Sequence, residues 1–504
     1  MNRLKKAFIN SGSILIYEIV AIVCSFILPR FILIEFGSTV NGLVLSITRF
    51  LNISTLLDAG VGSVAKAALY KPLAENDKNL VSKIYVSVSK FYKTIGIIFC
   101  VYTVAVAFCM PYINDSGLDY SYVFFLTFTI SVSTLAQFMI GATNSSLINA
   151  DQKVYLITNV NTITLILNTI VSVILISIGC NILIVKLSTS IIFAIRPAFA
   201  YFYCKKNYDI DWRAKYDEDP VKQKKDGFAH QLAETVLNNV DVIVLTAFST
   251  YSLVSVYSVY ALVTDGVSRM ISCMRSGMGA IFGNMLVTEP LDKVEKKFSV
   301  VELIYIVVST IVFSCALVMI IPFVKLYTKG ISDIDYARQA FAVVFLLSAM
   351  LNCQKGIYLM VIYAAGKFKE TKKAAYTEMI INLVISVILV WKFDLLGVAI
   401  GTLVAMAYRI LHSIIYTRGT ILKWGTRKAL VRLALSLIIA LGSVWSFSYF
   451  SHAYYQSYAT WVLYAAVVFI ILSVVTISIF ALLYRQDMKQ VLKYGIGLVK
   501  RKSK

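Results

Sequence analysis

Apolar stretches long enough to cross a lipid bilayer recur along almost the whole of this chain, and short charged stretches separate them. A helix needs about 20 apolar residues to span the hydrocarbon core. Of the 504 residues, 59% are apolar and 15% are charged, whereas an average globular chain has about 25% charged residues. This chain has too few charged residues to cover its apolar mass in water, so we predict an all-α membrane protein with many transmembrane helices.

Fourteen stretches meet the length requirement. The first is too long for a signal peptide and lacks a small-residue cleavage site, so we predict that it is an uncleaved helix. Only the short polar segment 392–394 separates the eleventh span from the twelfth. The predicted spans are 11–35, 39–66, 86–110, 120–147, 154–178, 181–203, 227–249, 253–287, 298–322, 337–365, 374–391, 395–417, 428–450 and 458–484.

The basic residues predict how these helices are oriented. The chain has 48 Lys and Arg against 27 Asp and Glu, a net charge of +21. When successive loops are assigned to alternate sides, 36 basic residues lie on the side of both termini and five on the other. This asymmetry predicts that both termini are cytoplasmic. Because these residues orient the chain and meet the anionic inner leaflet, the positive charge predicts no nucleic-acid partner.

An internal repeat relates two parts of the chain at an offset of 214 residues. Chance similarity between apolar helices is the alternative explanation, but matching loop positions and equal helix counts argue against it. Two parallel, pseudo-symmetric six-helix lobes are typical of transporters that bind substrate between the lobes and work by alternating access. The matches pair Asn168, Ser172 and Leu175 with Asn382, Ser386 and Leu389, and pair Ala150 and Lys153 with Ala364 and Lys367.

The repeat predicts the domain organisation. The predicted parts are an N-lobe at 1–203, a cytoplasmic linker at 204–226, a C-lobe at 227–417, two C-terminal helices within 418–484, and a basic cytoplasmic tail at 485–504.

Seven basic residues fall within the predicted spans, where an ionisable side chain costs about 2.5–3.5 kcal/mol. Arg49 lies too deep in its span to reach the interface easily. Arg196 and Arg409 lie at similar depths in the last helix of each lobe, where snorkelling is the alternative to a function. Arg269 follows Asp265 by one helical turn, so an intrahelical ion pair is the alternative there. The other three are Lys186, Arg275 and Lys355.

The seventh span carries a polar stripe of His230, Glu234, Asn238 and Asp241, which the helical period aligns on one face. We predict that this stripe lines a cavity and that its carboxylates bind H+ or Na+ to couple transport to an ion gradient. Helix packing through hydrogen bonds is the alternative. Further candidates for the same role are Glu18 and Asp58.

No motif for nucleotide or metal binding occurs, since the cysteines are scattered singly and no P-loop is present. We therefore predict no cofactor, no metal site and no enzymatic activity.

Three short segments carry a resemblance to a known family. They are Leu57-Asp58-Ala-Gly60-Val-Gly62 at the end of the second span, Asn238-Asn239-Val-Asp241 in the seventh, and Leu326-Tyr327-Thr328-Lys-Gly330 before the tenth. With fourteen spans grouped as six, six and two, the chain resembles the polysaccharide-exporter branch, the Wzx-type flippases, of the multidrug/oligosaccharidyl-lipid/polysaccharide (MOP) exporter superfamily. The drug-exporter branch typically has twelve spans, so the extra two favour the polysaccharide branch.

The resemblance implies that the chain moves undecaprenyl-diphosphate-linked oligosaccharides across a bacterial plasma membrane, in contact with membrane lipids and with a polysaccharide polymerase and other biosynthesis proteins as partners. Alternatives within the superfamily are a cation-coupled multidrug exporter and a peptidoglycan-precursor flippase. Cationic residues of the cavity would hold the diphosphate through charge-assisted hydrogen bonds. The predicted diphosphate contacts are Arg49, Arg269 and Arg196, followed by Arg409, Lys355 and Arg275.

Overall fold

A computed structural model describes residues 3–58, 61–114, 116–215, 228–275, 278–447 and 457–488. These residues form helices joined by short turns, and none of them lies in a β-strand. The all-α prediction is confirmed. Residues 216–226 of the predicted linker and 489–504 of the predicted tail lie outside the described part of the chain.

Fifteen labelled α-helices carry the fold among the described residues. Those up to residue 207 are α1 (Arg3–Asn52), α2 (Val61–Glu75), α3 (Lys78–Ile113), α4 (Tyr120–Ala136), α5 (Ala142–Ala150), α6 (Val154–Ser177) and α7 (Ile182–Asn207). Those that follow are α8 (Phe228–Phe248), α9 (Tyr251–Arg275), α10 (Met278–Thr288), α11 (Leu291–Tyr327), α12 (Gln339–Ala364), α13 (Phe368–Ile415), α14 (Arg427–Ser446) and α15 (Tyr458–Leu483).

Ten helical stretches of the described chain are long and apolar enough to cross a membrane. Two of these, Ile9–Leu56 and Phe368–Ile421, are 48 and 54 residues long, which is about twice the length that one crossing needs. Both break where a predicted inter-span turn falls: α1 has non-helical backbone at Gly37 and α13 at Asp394. Each therefore accounts for two predicted spans.

The seventh and eighth predicted spans also form helices, α8 and α9, but neither is among the ten strongly apolar stretches. Their polar residues explain this, because α8 contains the predicted stripe and α9 contains Asp265, Arg269 and Arg275. The most polar membrane helices are thus the ones that carry many of the predicted functional residues.

The chain divides into two compact units, residues 1–255 and 256–504. In unit 1 the apolar core includes Ile47, Leu147 and Val185, all fully buried. In unit 2, α11 and α12 supply most of the buried residues, such as Phe313 and Val361. The predicted division into six, six and two helices stays a prediction.

The internal repeat reappears in the geometry of one turn in each unit. In the turn from α5 to α6, Gln152 adopts a φ of 60° and Lys153 donates its backbone N–H to Ile148 O at 3.2 Å. In the turn from α12 to α13, Gly366 has a φ of 70° and Lys367 donates to Ile362 O at 3.0 Å. Each corresponding position differs by 214 residues, and both turns are Schellman-type helix ends. The two sequences therefore fold the same way locally.

This turn yields a testable difference between the units. A non-glycine residue in the left-handed region costs about 1 kcal/mol relative to glycine, and Gln152 occupies the position that glycine holds in unit 2. We expect Gln152→Gly to raise the free energy of unfolding by up to ~1 kcal/mol and Gly366→Ala to lower it by a similar amount. Chemical unfolding of the two purified variants in detergent measures both effects, and shifts of the same sign would contradict the equivalence.

Candidate functional site

A cavity of about 510 Å³ lies inside unit 1. Its wall is formed by α3, α4, α5, α6 and α7, by the 3-10 segment Ile53–Asp58, and by the π-helical segment Gln137–Gly141. The volume is in the range of small-molecule sites. The wall combines hydroxyl, amide, aromatic and charged groups: Thr55, Asp58, Tyr92, Ser133, Thr134, Gln137, Phe138, Ala142, Ser145, Ile157, Val160, Asn161, Phe193 and Arg196.

Asp58 supplies the negative charge of this cavity. It ends the 3-10 segment after α1, where the second predicted span stops being a regular α-helix. The hydroxyl of the buried Tyr92 on α3 donates to Asp58 Oδ1 at 2.5 Å. This hydrogen bond fixes one carboxylate oxygen and leaves the half-buried side chain at the cavity wall.

Arg196 supplies the positive charge. Its Nε atom donates to Thr164 Oγ1 at 2.7 Å and its Nη2 atom to Asn161 O at 3.4 Å. The guanidinium carbon lies 3.9 Å from the centre of the Phe193 ring, a cation–π contact that orients the group. Among the described residues, no carboxylate lies within ion-pair distance of Arg196. Its charge is oriented by neutral groups and is uncompensated by any carboxylate there.

The π-helical segment Gln137–Gly141 brings further polar groups to the wall. A π-helical turn widens the helix and is frequent at functional sites. Here it joins α4 to α5 and places Gln137 and Phe138 on the cavity. The local irregularity in the fourth predicted span therefore shapes the site.

The structure brings two of the predicted site residues, Asp58 and Arg196, into this one cavity. Arg49 lies elsewhere in unit 1, with its Nη1 atom 3.3 Å from Asn238 O on α8. In unit 2, Arg275 donates from Nη1 to Gly356 O at 3.1 Å, and Arg269 is exposed on α9. These three predicted diphosphate contacts are not part of the unit 1 cavity wall.

Lys355 and Arg409, also predicted to bind the diphosphate, are both engaged by one buried carboxylate. Lys355 Nζ lies 2.7 Å from Glu378 Oε1, and Arg409 Nε lies 3.3 Å from Glu378 Oε2. The three side chains are at most 9% exposed. Glu378 offsets much of the charge that the sequence analysis assigned to a ligand.

The polar stripe on α8 divides by burial. Glu234 and Asn238 are exposed one turn apart, whereas Asp241 is buried. The side chain of His230 lies outside the described residues. On α1, Glu18 is half-buried. The stripe as a coupling site stays a prediction.

Sequence reasoning missed a second buried ionic cluster, in unit 2. Glu302 on α11 accepts hydrogen bonds from Arg418 and Arg432, and Arg418 also pairs with Glu295 at 3.3 Å. All four side chains are at most 5% exposed. Arg418 and Arg432 had been assigned to orienting cytoplasmic segments. The available signal was that Glu302 and Glu378 both fall inside predicted spans, 298–322 and 374–391.

No protein-family model matches this sequence, and no curated protein matches it significantly. Solved structures do match. Lipid II flippase MurJ in an inward closed conformation aligns with a TM-score of 0.68 over 94% of this chain and 99% of its own, at 14% identity.

Two transporters of the MATE family align less completely. An inward-facing multidrug resistance MATE family transporter of the MOP superfamily has a TM-score of 0.60 over 81% of this chain and 95% of its own, at 15% identity. A eukaryotic MATE transporter has a TM-score of 0.56 over 85% of this chain and 99% of its own, at 12% identity. The chain therefore has the helical fold seen in a lipid II flippase and in MATE-family transporters of the MOP superfamily.

Proposed function

We propose that this chain is a transporter of the polysaccharide-exporter branch of the MOP superfamily. It flips undecaprenyl-diphosphate-linked oligosaccharide repeat units across a bacterial plasma membrane by alternating access, for the synthesis of a surface polysaccharide. The observation that carries the proposal is the unit 1 cavity, where hydroxyl, amide and aromatic groups surround an arginine that has no carboxylate partner among the described residues.

The chemistry of the cavity suits such a substrate. Sugar hydroxyls and a diphosphate cannot cross hydrocarbon unaided, because desolvating them without new hydrogen bonds costs several kcal/mol per group. The cavity offers replacement partners in Ser133, Thr134 and Gln137 for hydroxyls, and in Arg196 for an oxyanion. The prenyl chain is apolar and remains in the lipid.

Two further observations favour a lipid-linked substrate over a cationic drug. Seven cations lie in the predicted spans, and cations in a binding path repel cationic drugs. The lipid II flippase also aligns with more of this chain than the MATE transporters do, 94% against 81% and 85%. The same alignment makes a peptidoglycan-precursor flippase the second candidate.

The remaining parts of the proposal follow from the distribution of charge. Both termini are cytoplasmic, because the basic loops share their side. H+ or Na+ drives the cycle through Asp58, Glu234 or Asp241, which are the carboxylates at the cavity and on α8. Membrane lipids surround the protein, and a polysaccharide polymerase is the partner that would consume its product.

A variant that fills the cavity tests the proposal. Ser145 lines the cavity, so Ser145→Trp should occupy much of its volume and abolish transport. Ile163 is 64% exposed on α6, so Ile163→Trp adds the same ring on an outer surface and should leave transport unchanged. The readout is surface polysaccharide in a bacterial strain that lacks its oligosaccharide flippase, with membrane levels of each variant measured in parallel.

The strain used separates the two candidate substrates. We expect the chain to restore the strain that lacks the oligosaccharide flippase, supplied with the matching glycosyltransferases, and not a strain depleted of its lipid II flippase. Rescue of the second strain alone would establish the peptidoglycan-precursor alternative. Normal transport by Ser145→Trp would show that the cavity is not on the substrate path.

A further inference from the structure

The repeat places an arginine at equivalent positions in the two units, and each faces the helical segment before it. Arg196 Nε on α7 contacts Thr164 Oγ1 at 2.7 Å, and Arg409 Nε in α13 contacts Glu378 Oε2 at 3.3 Å. Thr164 and Glu378 are separated by 214 residues, the offset that also relates the buried Asn168 to Asn382. The same arginine–neighbour contact thus occurs in both units.

The partners of the two arginines differ in charge. In unit 2, the carboxylate of Glu378 lies against both Arg409 and Lys355, and all three side chains are buried. In unit 1, the position of Glu378 is held by the neutral Thr164, and the position of Lys355 is held by Gly141. The equivalent place in unit 1 therefore lacks both the carboxylate and the ammonium.

The loss of these two long side chains coincides with the cavity. Arg196 and Phe193 line it, and Phe193 occupies the position of Met406, which contacts Lys355 Nζ in unit 2. Gly141 ends the π-helical segment that forms part of the wall. Unit 2 fills this place with an internal ion cluster, whereas unit 1 leaves space beside an arginine.

We propose that the unit 1 cavity is an oxyanion-binding site in which Arg196 takes a phosphate or carboxylate group of the ligand, and that the neutral Thr164 keeps Arg196 available for it. An arginine held on one side by Thr164, Asn161 and Phe193 still has Nη donors for the planar recognition of an oxyanion. The equivalent Arg409 is a structural residue, neutralised by Glu378. The identity of the ligand rests on the proposed function: the oxyanion is either the lipid diphosphate or an acidic sugar.

The decisive variant gives unit 1 the carboxylate that unit 2 has. Thr164→Glu should pair with Arg196 internally and lower the affinity for the oxyanion at least tenfold, as should Arg196→Gln. Thr164→Gln has nearly the same size without the charge and should stay within threefold of the unaltered chain. Binding is measured on the purified full chain in detergent by native mass spectrometry, with farnesyl diphosphate and glucuronate as the two probes.

The two probes distinguish the sources of the oxyanion. Binding of farnesyl diphosphate that Thr164→Glu abolishes assigns the site to the lipid diphosphate, and the same pattern with glucuronate assigns it to an acidic sugar. Absence of binding of either probe to the unaltered chain overturns the proposal. Equal affinity of Thr164→Glu and Thr164→Gln also overturns it.

A stability measurement separates this role from a structural one. Because the new carboxylate gives Arg196 an internal partner, Thr164→Glu should keep or raise the thermal unfolding midpoint while binding falls. Glu378→Gln in unit 2 should do the reverse, lowering the midpoint and leaving probe affinity within threefold. A loss of binding by Glu378→Gln equal to that by Thr164→Glu would contradict the assignment to unit 1.

The outcome is also distinguishable from a failure of the proposed function. If the chain does not restore polysaccharide export but Thr164→Glu abolishes probe binding, the oxyanion site stands and the substrate is wrong. If export is restored equally well by Thr164→Glu and the unaltered chain, the flippase function stands and the role of Arg196 is refuted.

Discussion

Replacing Glu302 by alanine should unfold unit 2 more readily than any other single substitution we have considered. Removal of one partner from a buried ion cluster costs about 3–5 kcal/mol, because the remaining charges are left uncompensated in a medium that solvates them poorly. Glu302 is fully buried, and so are the two arginines that donate to it, Arg418 and Arg432. Its removal leaves two guanidinium groups without their shared carboxylate.

The geometry of the cluster explains why Glu302 is the critical member. Tyr358 Oη also donates to Glu302, at 2.6 Å, so four donated hydrogen bonds from three residues converge on one carboxylate. At the edge of the cluster, Asp487 pairs with Arg432 and Lys428, each at 2.6 Å. With Glu295, the cluster has three acidic and three basic side chains, and only Glu302 contacts both buried arginines.

An exposed carboxylate provides the matched control. Glu75 pairs with Lys71 one turn away at 3.9 Å, and both side chains are more than half exposed. Such surface pairs contribute about 0.3–0.5 kcal/mol, so Glu75→Ala should leave the unfolding midpoint nearly unchanged. Thermal unfolding in detergent, followed by loss of the monodisperse chromatographic peak, measures both variants. A midpoint for Glu302→Ala equal to that of Glu75→Ala would show that the cluster does not stabilise the fold.

The same cluster shows what hydropathy can and cannot predict. The helices follow from apolar length alone, since crossing a bilayer requires a fixed number of apolar residues, and all fourteen predicted spans coincide with described helices. Partners across helices do not follow from it. Glu302 and Arg418 are 116 residues apart, and a window of neighbouring residues contains no information about such a pair. Arg418 therefore resembled an ordinary residue of a basic loop.

The candidate site divides along the same line. Arg196 and Asp58 could be identified, because an ionisable residue within an apolar span is unusual and costly. Thr164 could not, because a threonine in a membrane helix is common and carries no charge. Its importance depends on the contact with Arg196 and on comparison with Glu378 in the other unit. The repeat in the sequence contained that comparison, but only the side-chain contacts give it meaning.

The substitution Gly42→Ala should destabilise unit 1 by about 3 kcal/mol or more, although it adds only one methyl group. A Cβ atom built at Gly42 on α1 would lie 1.7 Å from the carbonyl oxygen of Tyr251, so the backbone at one of the two positions must move. Overpacking in a rigid interior typically costs 1–3 kcal/mol. Tyr251 resists displacement because it is buried and donates from Oη to Met110 O at 3.1 Å.

Moving these segments apart also breaks the hydrogen bonds beside them. Three side-chain pairs join the same stretch of α1 to α8 and the start of α9: Thr39 with Ser252 at 3.0 Å, Asn41 with Ser255 at 2.7 Å, and Ser46 with Thr246 at 2.7 Å. Hydrogen bonds between membrane helices contribute about 0.6 kcal/mol each on average. The seam they form depends on glycine at its centre, because only glycine allows so close an approach.

A second glycine on the same helix supplies the control. A Cβ at Gly12 would have no heavy atom within 4 Å, so Gly12→Ala should keep or slightly raise stability through the better helix propensity of alanine. The two variants make the same chemical change in α1, and their unfolding midpoints in detergent should therefore shift in opposite directions or differ widely. Equal midpoints would mean that α1 does not approach Tyr251 as closely as the structure places it, and the hydrogen bonds of the seam would then need a different geometry.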